Sequence, residues 1–254
     1  MKSEIKKTYT IMIIEIKDLK KVFGDKTAVD ISELNIEAGS LIGLVGNNGA
    51  GKTTLFRLML DLLKADSGYV LSDGGDVSKN EKWKKYTGSF LDSRFLIDFL
   101  TPEEFLYFVG ETYSMSKEVV DEHLVPFARF MNGEILGQKK YIRNFSSGNK
   151  QKIGIIAAMM ISPKILILDE PFNFLDPSSQ IEIRNLIAGM NKEHQTTIFI
   201  SSHNLNYTTD ICDRVILLEK GLIIKDMKNS AEAIEELNSY FLNNTGSLNQ
   251  QISD

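Results

Sequence analysis

Residues 46 to 54 read GNNGAGKTT, and the apolar run Leu41, Ile42, Gly43, Leu44, Val45 stands directly before them. Strand, glycine loop and helix follow in order, the layout of a phosphate cradle. Gly46, Gly49 and Gly51 let backbone N–H groups turn onto an anion, and the next helix aims the positive end of its dipole at the same point. Lys52 reaches for the β- and γ-phosphates of a nucleoside triphosphate, and the Thr53 hydroxyl for the Mg2+ that accompanies them. Asn47, Asn48, Ala50 and Thr54 fill the rest of the loop. A glycine-rich turn that binds nothing is the competing reading, and the flanking strand and helix weigh against it.

A second group of reactive side chains lies at ILILDEP, residues 165 to 171. Two adjacent carboxylates at the tip of a buried strand are costly unless they face a cation or a polarised water. In a phosphate site Asp169 would hold magnesium through its water shell, and Glu170 would orient or deprotonate the attacking water. An acidic pair opening a surface turn before Pro171 is the alternative. A third piece, FSSGNKQK at residues 145 to 152, sets serines and a glycine ahead of an apolar helix through Ile153, Ile156, Ala157 and Met160. It offers free N–H donors and a second helix dipole to an anion, or else a plain helix cap.

Strands are predicted at Ile13 to Ile16, around Ile31 to Ile36, and at Leu41 to Val45, Ile165 to Leu168, Thr196 to Ile200 and Val215 to Leu218. The runs starting at 41, 165 and 196 are apolar on both faces, as central parallel strands are, and ligands gather at the carboxyl ends of such strands. The first 40 residues and the segment Val215 to Lys225, turning at Lys220 and Gly221, read as antiparallel hairpins at the margin of the sheet. Leu55, Leu58, Met59, Leu62 and Leu63 share one face of the helix after the glycine loop. From about 92 to 150 strand signals vanish, and Thr101 caps a helix beginning at Pro102. The fold class is α/β: a P-loop NTPase core with a mostly parallel sheet, an antiparallel β margin and an inserted α-helical subdomain. One main unit over 1–228 is expected, with the insertion at about 92–150. A C-terminal amphipathic helix (Ala233, Ile234, Leu237, Phe241, Leu242) and a polar tail, NNTGSLNQQISD, expected to be disordered, make up 229–254.

At 254 residues and 43% hydrophobic content the chain can bury a full core. The formal net charge of −5 disfavours nucleic acid as a partner. The single cysteine, Cys212, has no disulfide partner within the chain and reads as a small buried residue. The longest apolar stretch, Ile153 to Ile161, is about half of the roughly 20 residues a membrane span needs. The opening residues, MKSEIKKTYTIM, lack the apolar stretch of a secretory signal.

Taken in order, GNNGAGKTT, FSSGNKQK, ILILDEP, FLD at 174 to 176 and SSH at 201 to 203 closely resemble the motifs of the ATP-binding subunits of ABC transporters. The resemblance covers about residues 13 to 225. It implies ATP and Mg2+ as ligands and ATP hydrolysis as the activity. It makes Phe23 the aromatic on which adenine stacks, the alternative being a hairpin core residue. It makes His203 the switch histidine at the γ-phosphate, where a satisfied structural histidine is the plainer reading, and Asp176 the aspartate that helps join two nucleotide sites. Ser146 and Gly148 become the phosphate-facing pair of the signature helix. Two departures stand out. Asp92 occupies the place of the usual magnesium-sensing Gln, with a shorter side chain, and Phe145, Ser147 and Asn149 alter a signature that usually reads LSGGQ. These departures leave open a slow ATPase, or a regulatory module with weak or silent catalysis.

The resemblance further implies a dimer, homo- or heteromeric, in which the glycine cradle of one subunit meets the signature of the other over one ATP. A separate transmembrane permease supplies the pathway, so the expected location is cytoplasmic, on the inner face of the cell membrane. Arg94, Phe95, Phe99 and Leu100 are candidates for the permease-docking cleft, with an ordinary hydrophobic core as the other reading. The altered signature is more like that of exporters of drugs, lantibiotic-type peptides or polysaccharides than that of importers. A non-transport ABC ATPase of chromosome maintenance would need long coiled coils between Lys52 and Ser146, and the chain has no room for them. The family's usual opening resembles MIIEIKDL at Met12 to Leu19, so residues 1–11 are a flexible arm or reflect an upstream start. No role is assigned to Trp83.

Overall fold

In the computed structural model, which describes residues 12–246, the chain opens with β1 (Met12–Phe23) and β2 (Lys26–Glu37) and runs through β3 (Leu41–Val45) into α1 (Lys52–Met59). β4 (Ser67–Ser72), β5 (Gly75–Asp76) and β6 (Thr87–Phe90) follow, and then α2 (Pro102–Thr112), α3 (Lys117–Leu124), α4 (Ala128–Met131) and α5 (Ser147–Met159). The last third comprises β7 (Ile165–Leu168), α6 (Pro177–His194), β8 (Thr197–Ser202), α7 (Leu205–Thr209), β9 (Arg214–Glu219), β10 (Leu222–Lys228) and α8 (Ala231–Gly246). The arm expected at 1–11 and the end of the tail, 247–254, lie outside the described residues.

Six strands form one sheet in the order β10-β9-β3-β8-β7-β6. All neighbours in it are parallel except β10, which returns antiparallel to β9 at the margin. β3, β7 and β8 are buried along their whole length, as strands covered by helices on both faces must be. One apolar cluster packs α5, α6 and the helical segment against one face, with Ile153, Ile156, Leu166 and Ile198 fully buried. A second fills the opposite face with Phe56 of α1, Ile165 and Phe199.

The N-terminal hairpin departs from the expectation. It joins no edge of the main sheet but builds a second, antiparallel one in the order β2-β1-β4-β5. Ile14, Ile16, Val29, Ile31 and Ile36 turn one face of it onto α1 and the main sheet, so it serves as a lid on the second cluster. β4 gave no sequence signal because only Val70 and Ser72 are buried in SGYVLS; backbone pairing with β1 makes it a strand.

α1 stops at Met59, short of Leu62 and Leu63, and Leu62 is exposed. Asp61 adopts φ 48°, and the Leu62 amide reaches back 2.9 Å to the Arg57 carbonyl, a Schellman-type end. With Asp instead of Gly at the left-handed position, the apolar period alone runs past the true terminus. Thr101 caps α2 as predicted: its hydroxyl accepts from the Glu104 amide at 3.3 Å, and the Glu104 carboxylate accepts from the Thr101 amide at 2.8 Å. The C-terminal helix extends through Gly246, beyond the point where the polar tail was expected to begin. Trp83 is a packing residue, buried with its indole N–H donating to the Val77 carbonyl at 3.1 Å. Cys212 is buried, and burial pushes its thiol far up.

Candidate functional site

Strand order brings the three loaded loops together. β8 lies between β3 and β7, so its last residues sit between the glycine loop and the acidic pair at the carboxyl edge of the sheet. The loop residues Asn47 to Thr54 line a pocket of about 300 Å³ with Phe23, Lys26, Ala28 and Glu170. Gly51 has φ 112°, and a Cβ there would come within 2.4 Å of the Ala28 carbonyl oxygen. Gly49, φ 82°, stays open on the exposed crest of the loop. The helix therefore starts with no side-chain cap, and its first amides remain free for an anion.

Lys52 is buried, and its ammonium donates to the Gly46 carbonyl at 2.5 Å and lies 3.4 Å from a Glu170 carboxylate oxygen. The Thr53 hydroxyl donates to one oxygen of Asp169 and the Ser201 hydroxyl to the other. Burial raises the Asp169 carboxyl above its ordinary range, and these two hydroxyls oppose the shift. Two hard oxygens, from Thr53 and Asp169, thus meet beside the phosphate loop, a donor set that fits Mg2+.

Glu170 stands just past β7 at φ 48°, a conformation few non-glycine residues take. Its amide donates to Ser201 Oγ at 2.8 Å, and its carbonyl accepts from Gln151 Nε2 at 3.1 Å. Its second carboxylate oxygen accepts from His203 Nδ1 at 2.9 Å. Phe23 is 51% exposed at the mouth of the pocket, so it is no hairpin core residue.

Not every expected site residue joins this cluster. Ser146 and Gly148 line a separate pocket of about 380 Å³ with Glu134, Lys152, Phe174 and Asp176, and the two pockets share no residue. Ser146 caps α5, its hydroxyl accepting from the Asn149 amide at 3.2 Å. Asp176 caps α6 and accepts from Ser178 and Ser179, whose hydroxyls hold its carboxyl well below the usual range. Asp92 does not line the phosphate pocket. Its carboxylate accepts from Arg94 at 2.7 and 3.0 Å, and that guanidinium keeps it below the ordinary range.

Sequence reading missed Ser201 and Gln151, which fix Glu170. SSH was quoted as a motif, but only the strand order shows that its first serine faces both acids. Gln151 lies on α5, far from Glu170 along the chain, and carried no signal of its own.

Comparison with known proteins agrees with this geometry. Residues 29–173 match the family described as ABC transporter. The chain is 36% identical over 221 residues to the bacitracin transport ATP-binding protein BcrA of Bacillus licheniformis, covering 85% of this chain and 69% of that protein. It is 32% identical over 228 residues to the lantibiotic transport ATP-binding protein SrtF of Streptococcus pyogenes, covering 89% and 95%. The dimeric structure of MJ0796, a bacterial ABC transporter cassette, shares the fold with a TM-score of 0.75 at 23% identity, over 86% of this chain and 99% of that one.

Proposed function

This chain belongs to the ABC transporter family of ATP-binding, ATP-hydrolysing cassettes, and from that premise we propose that two cassettes close over ATP and drive export through a separate membrane permease. The observation that carries the proposal is the separation of the two anion-binding pockets. One chain supplies a phosphate loop and a signature helix that share no lining residue, so each pocket needs a complementary half from another subunit. The partner can be a second copy or a homologous cassette.

In the proposed cycle Lys52 exchanges its contact with Glu170 for the β- and γ-phosphates. Glu170 is then free to take a proton from the water that attacks the γ-phosphorus, while the bridging oxygen leaves with ADP. His203 holds the Glu170 carboxylate in place, and the left-handed backbone of Glu170, fixed by Ser201 and Gln151, sets its direction. Mg2+, held by Thr53 and Asp169, would supply positive charge against the phosphoryl oxygens. Asp92 can join it only by releasing Arg94. Phe23 offers the exposed face on which adenine would stack. Ser146 and Gly148, with Asp176 beside them, would close on the partner's ATP.

Residues up to 228 form the catalytic unit in this reading, with 92–150 as its helical arm and 229–254 appended. Among the described residues no helix is long and apolar enough to cross a membrane; in this reading a separate permease supplies the pathway and the chain sits on the inner membrane face. Phe95 and Phe99 are 58% and 62% exposed beside Arg94 and the partly buried Leu100, and are the proposed docking contacts. The relatives named for bacitracin and lantibiotic transport support a peptide antibiotic as cargo.

Phosphate release by the purified chain, abolished in Lys52→Ala, is the first test. Glu170→Gln should keep ATP binding and accumulate a closed dimer in gel filtration. Calorimetry showing no nucleotide affinity in folded wild-type protein would overturn the reading.

A further inference from the structure

The last turns of three helices converge on one cavity. α3 contributes Glu122 and His123, α5 closes there with Met159 and Met160, and α6 supplies Gly189, Met190, Glu193 and His194. The cavity holds about 440 Å³, within the roughly 300–1,000 Å³ of small-molecule sites. It shares no lining residue with the glycine-loop pocket or with the pocket at Ser146 and Gly148. Its apolar lining is Phe127, Met159 and Met160, all buried, with the partly buried Leu186 and Met190.

The electrostatics of the wall favour a cation. A helix C-terminus carries the negative end of the dipole, and three meet here. Glu122, Glu182 and Glu193 add carboxylates that have no ion-pair or hydrogen-bond partner among the described residues, and no Lys or Arg among those residues lines the cavity. His123 Nδ1 stands 2.6 Å from the Met160 carbonyl oxygen. A carbonyl only accepts, so Nδ1 carries the proton, and Nε2 of the neutral ring is left as an acceptor. Gly189 points the same way. It lies inside α6, where glycine weakens a helix relative to alanine, and no atom stands within 4 Å of the place its Cβ would take. Close packing therefore does not demand glycine there; the missing side chain leaves the cavity open.

We propose that this cavity binds a small amphipathic organic cation, with its apolar body on Phe127 and the methionines and its ammonium among the three carboxylates and His123. Such a ligand bridges α3, in the helical segment before α5, and α6, which follows the acidic pair. The inference is independent of the paired-cassette reading, because no residue of either anion pocket takes part.

The probe is tryptamine, titrated by calorimetry into the full chain with saturating ADP so that the glycine-loop pocket is already filled. It should bind at one site per chain, and indole-3-propionate, with the same ring and the opposite charge, at least about 10-fold more weakly. Gly189→Leu, which sets an isobutyl group in the cavity, should abolish tryptamine binding, and Glu182→Gln with Glu193→Gln should weaken it about 3- to 20-fold. ADP affinity should stay as in wild type in all of these variants, and Gly189→Ala should melt no lower than wild type. In spectra of methyl-labelled methionine, tryptamine should shift the signals of Met159, Met160 and Met190 and leave that of Met59, on the opposite face of the sheet, unmoved. If Gly189→Leu fails to fold, the two carboxylate substitutions and the methyl shifts carry the test. No saturable binding of tryptamine by wild type, equal binding of the two indoles, full tryptamine affinity in folded Gly189→Leu, or unmoved signals at Met159, Met160 and Met190 would overturn the assignment.

Discussion

At Glu170 four contacts converge on one residue: Ser201 and Gln151 hold the backbone, and Lys52 and His203 hold the carboxylate. Ser201 matters doubly because its hydroxyl also donates to Asp169. Ser201→Ala should lower kcat about 10- to 100-fold, as loss of a supporting hydrogen-bond partner commonly does, while ATP affinity, read by calorimetry, changes little. Asp169 gives a pH-dependent prediction. Its carboxyl is raised by burial, so the folded chain favours the protonated form. The stability this lends is fully present below the ordinary carboxylate value and is lost as pH rises through the raised one. Asp169→Asn, neutral throughout, should therefore melt higher than wild type at pH 7 although the proposed cycle makes it inactive, and the gap should shrink as pH falls through the raised value and be closed by about pH 4. Equal melting temperatures at pH 7 would show that Thr53, Ser201 and Lys52 already compensate the buried charge. Lys52, Thr53, Asp169 and Glu170 were singled out by residue type and spacing, and the structure brings them into contact. The second role of Ser201 was not legible in this way, since hydroxyls occur everywhere and only a neighbour in space gives one a task.

Among the elements, α5 and β6 carry the tightest constraint. A Cβ on Gly154 would come within 2.0 Å of the Phe90 ring, so the helix can lie against the edge strand only where a side chain is missing. Gly154→Ala should destabilise by about 1–3 kcal/mol through overpacking, seen as a fall of several degrees in thermal melting. A melting temperature equal to wild type would mean that the ring can turn aside. α6 depends on its cap. Asp176→Ala should cost about 1 kcal/mol at neutral pH. The Asp176 carboxyl is depressed, so its contribution is present above the ordinary carboxylate value and shrinks as pH falls below about 4 toward the depressed one; a difference between the two proteins that is undiminished at pH 2 would contradict the cap assignment. Sequence pattern located the long apolar strands and the capping box of α2 because both are local. It overran α1, whose end is set by Asp61 in a left-handed turn, and it missed β4, which exists through pairing with β1.

Over the whole molecule, ATP and the fold are linked. A ligand at about 100 times its dissociation constant stabilises the folded state by about 2.7 kcal/mol, which for a chain of this size is a rise of roughly 5–10 °C in thermal midpoint. ATP with Mg2+ should produce such a rise in wild type and none in Lys52→Ala; equal shifts in both proteins would place the nucleotide elsewhere. Taken alone, the sequence determined the chemistry and its order along the chain: the glycine loop, the acidic pair, the second helix with free amides, and the apolar runs that carry them. These follow from residue type and short-range period, which act between near neighbours. The fold alone decided that β8 stands between β3 and β7, that the N-terminal hairpin builds a second sheet, and that the pocket at the glycine loop and the pocket at Ser146 and Gly148 share no lining residue. Such facts arise from contacts between segments far apart in sequence, and the free energy that selects them is shared across the whole core rather than written in any one stretch.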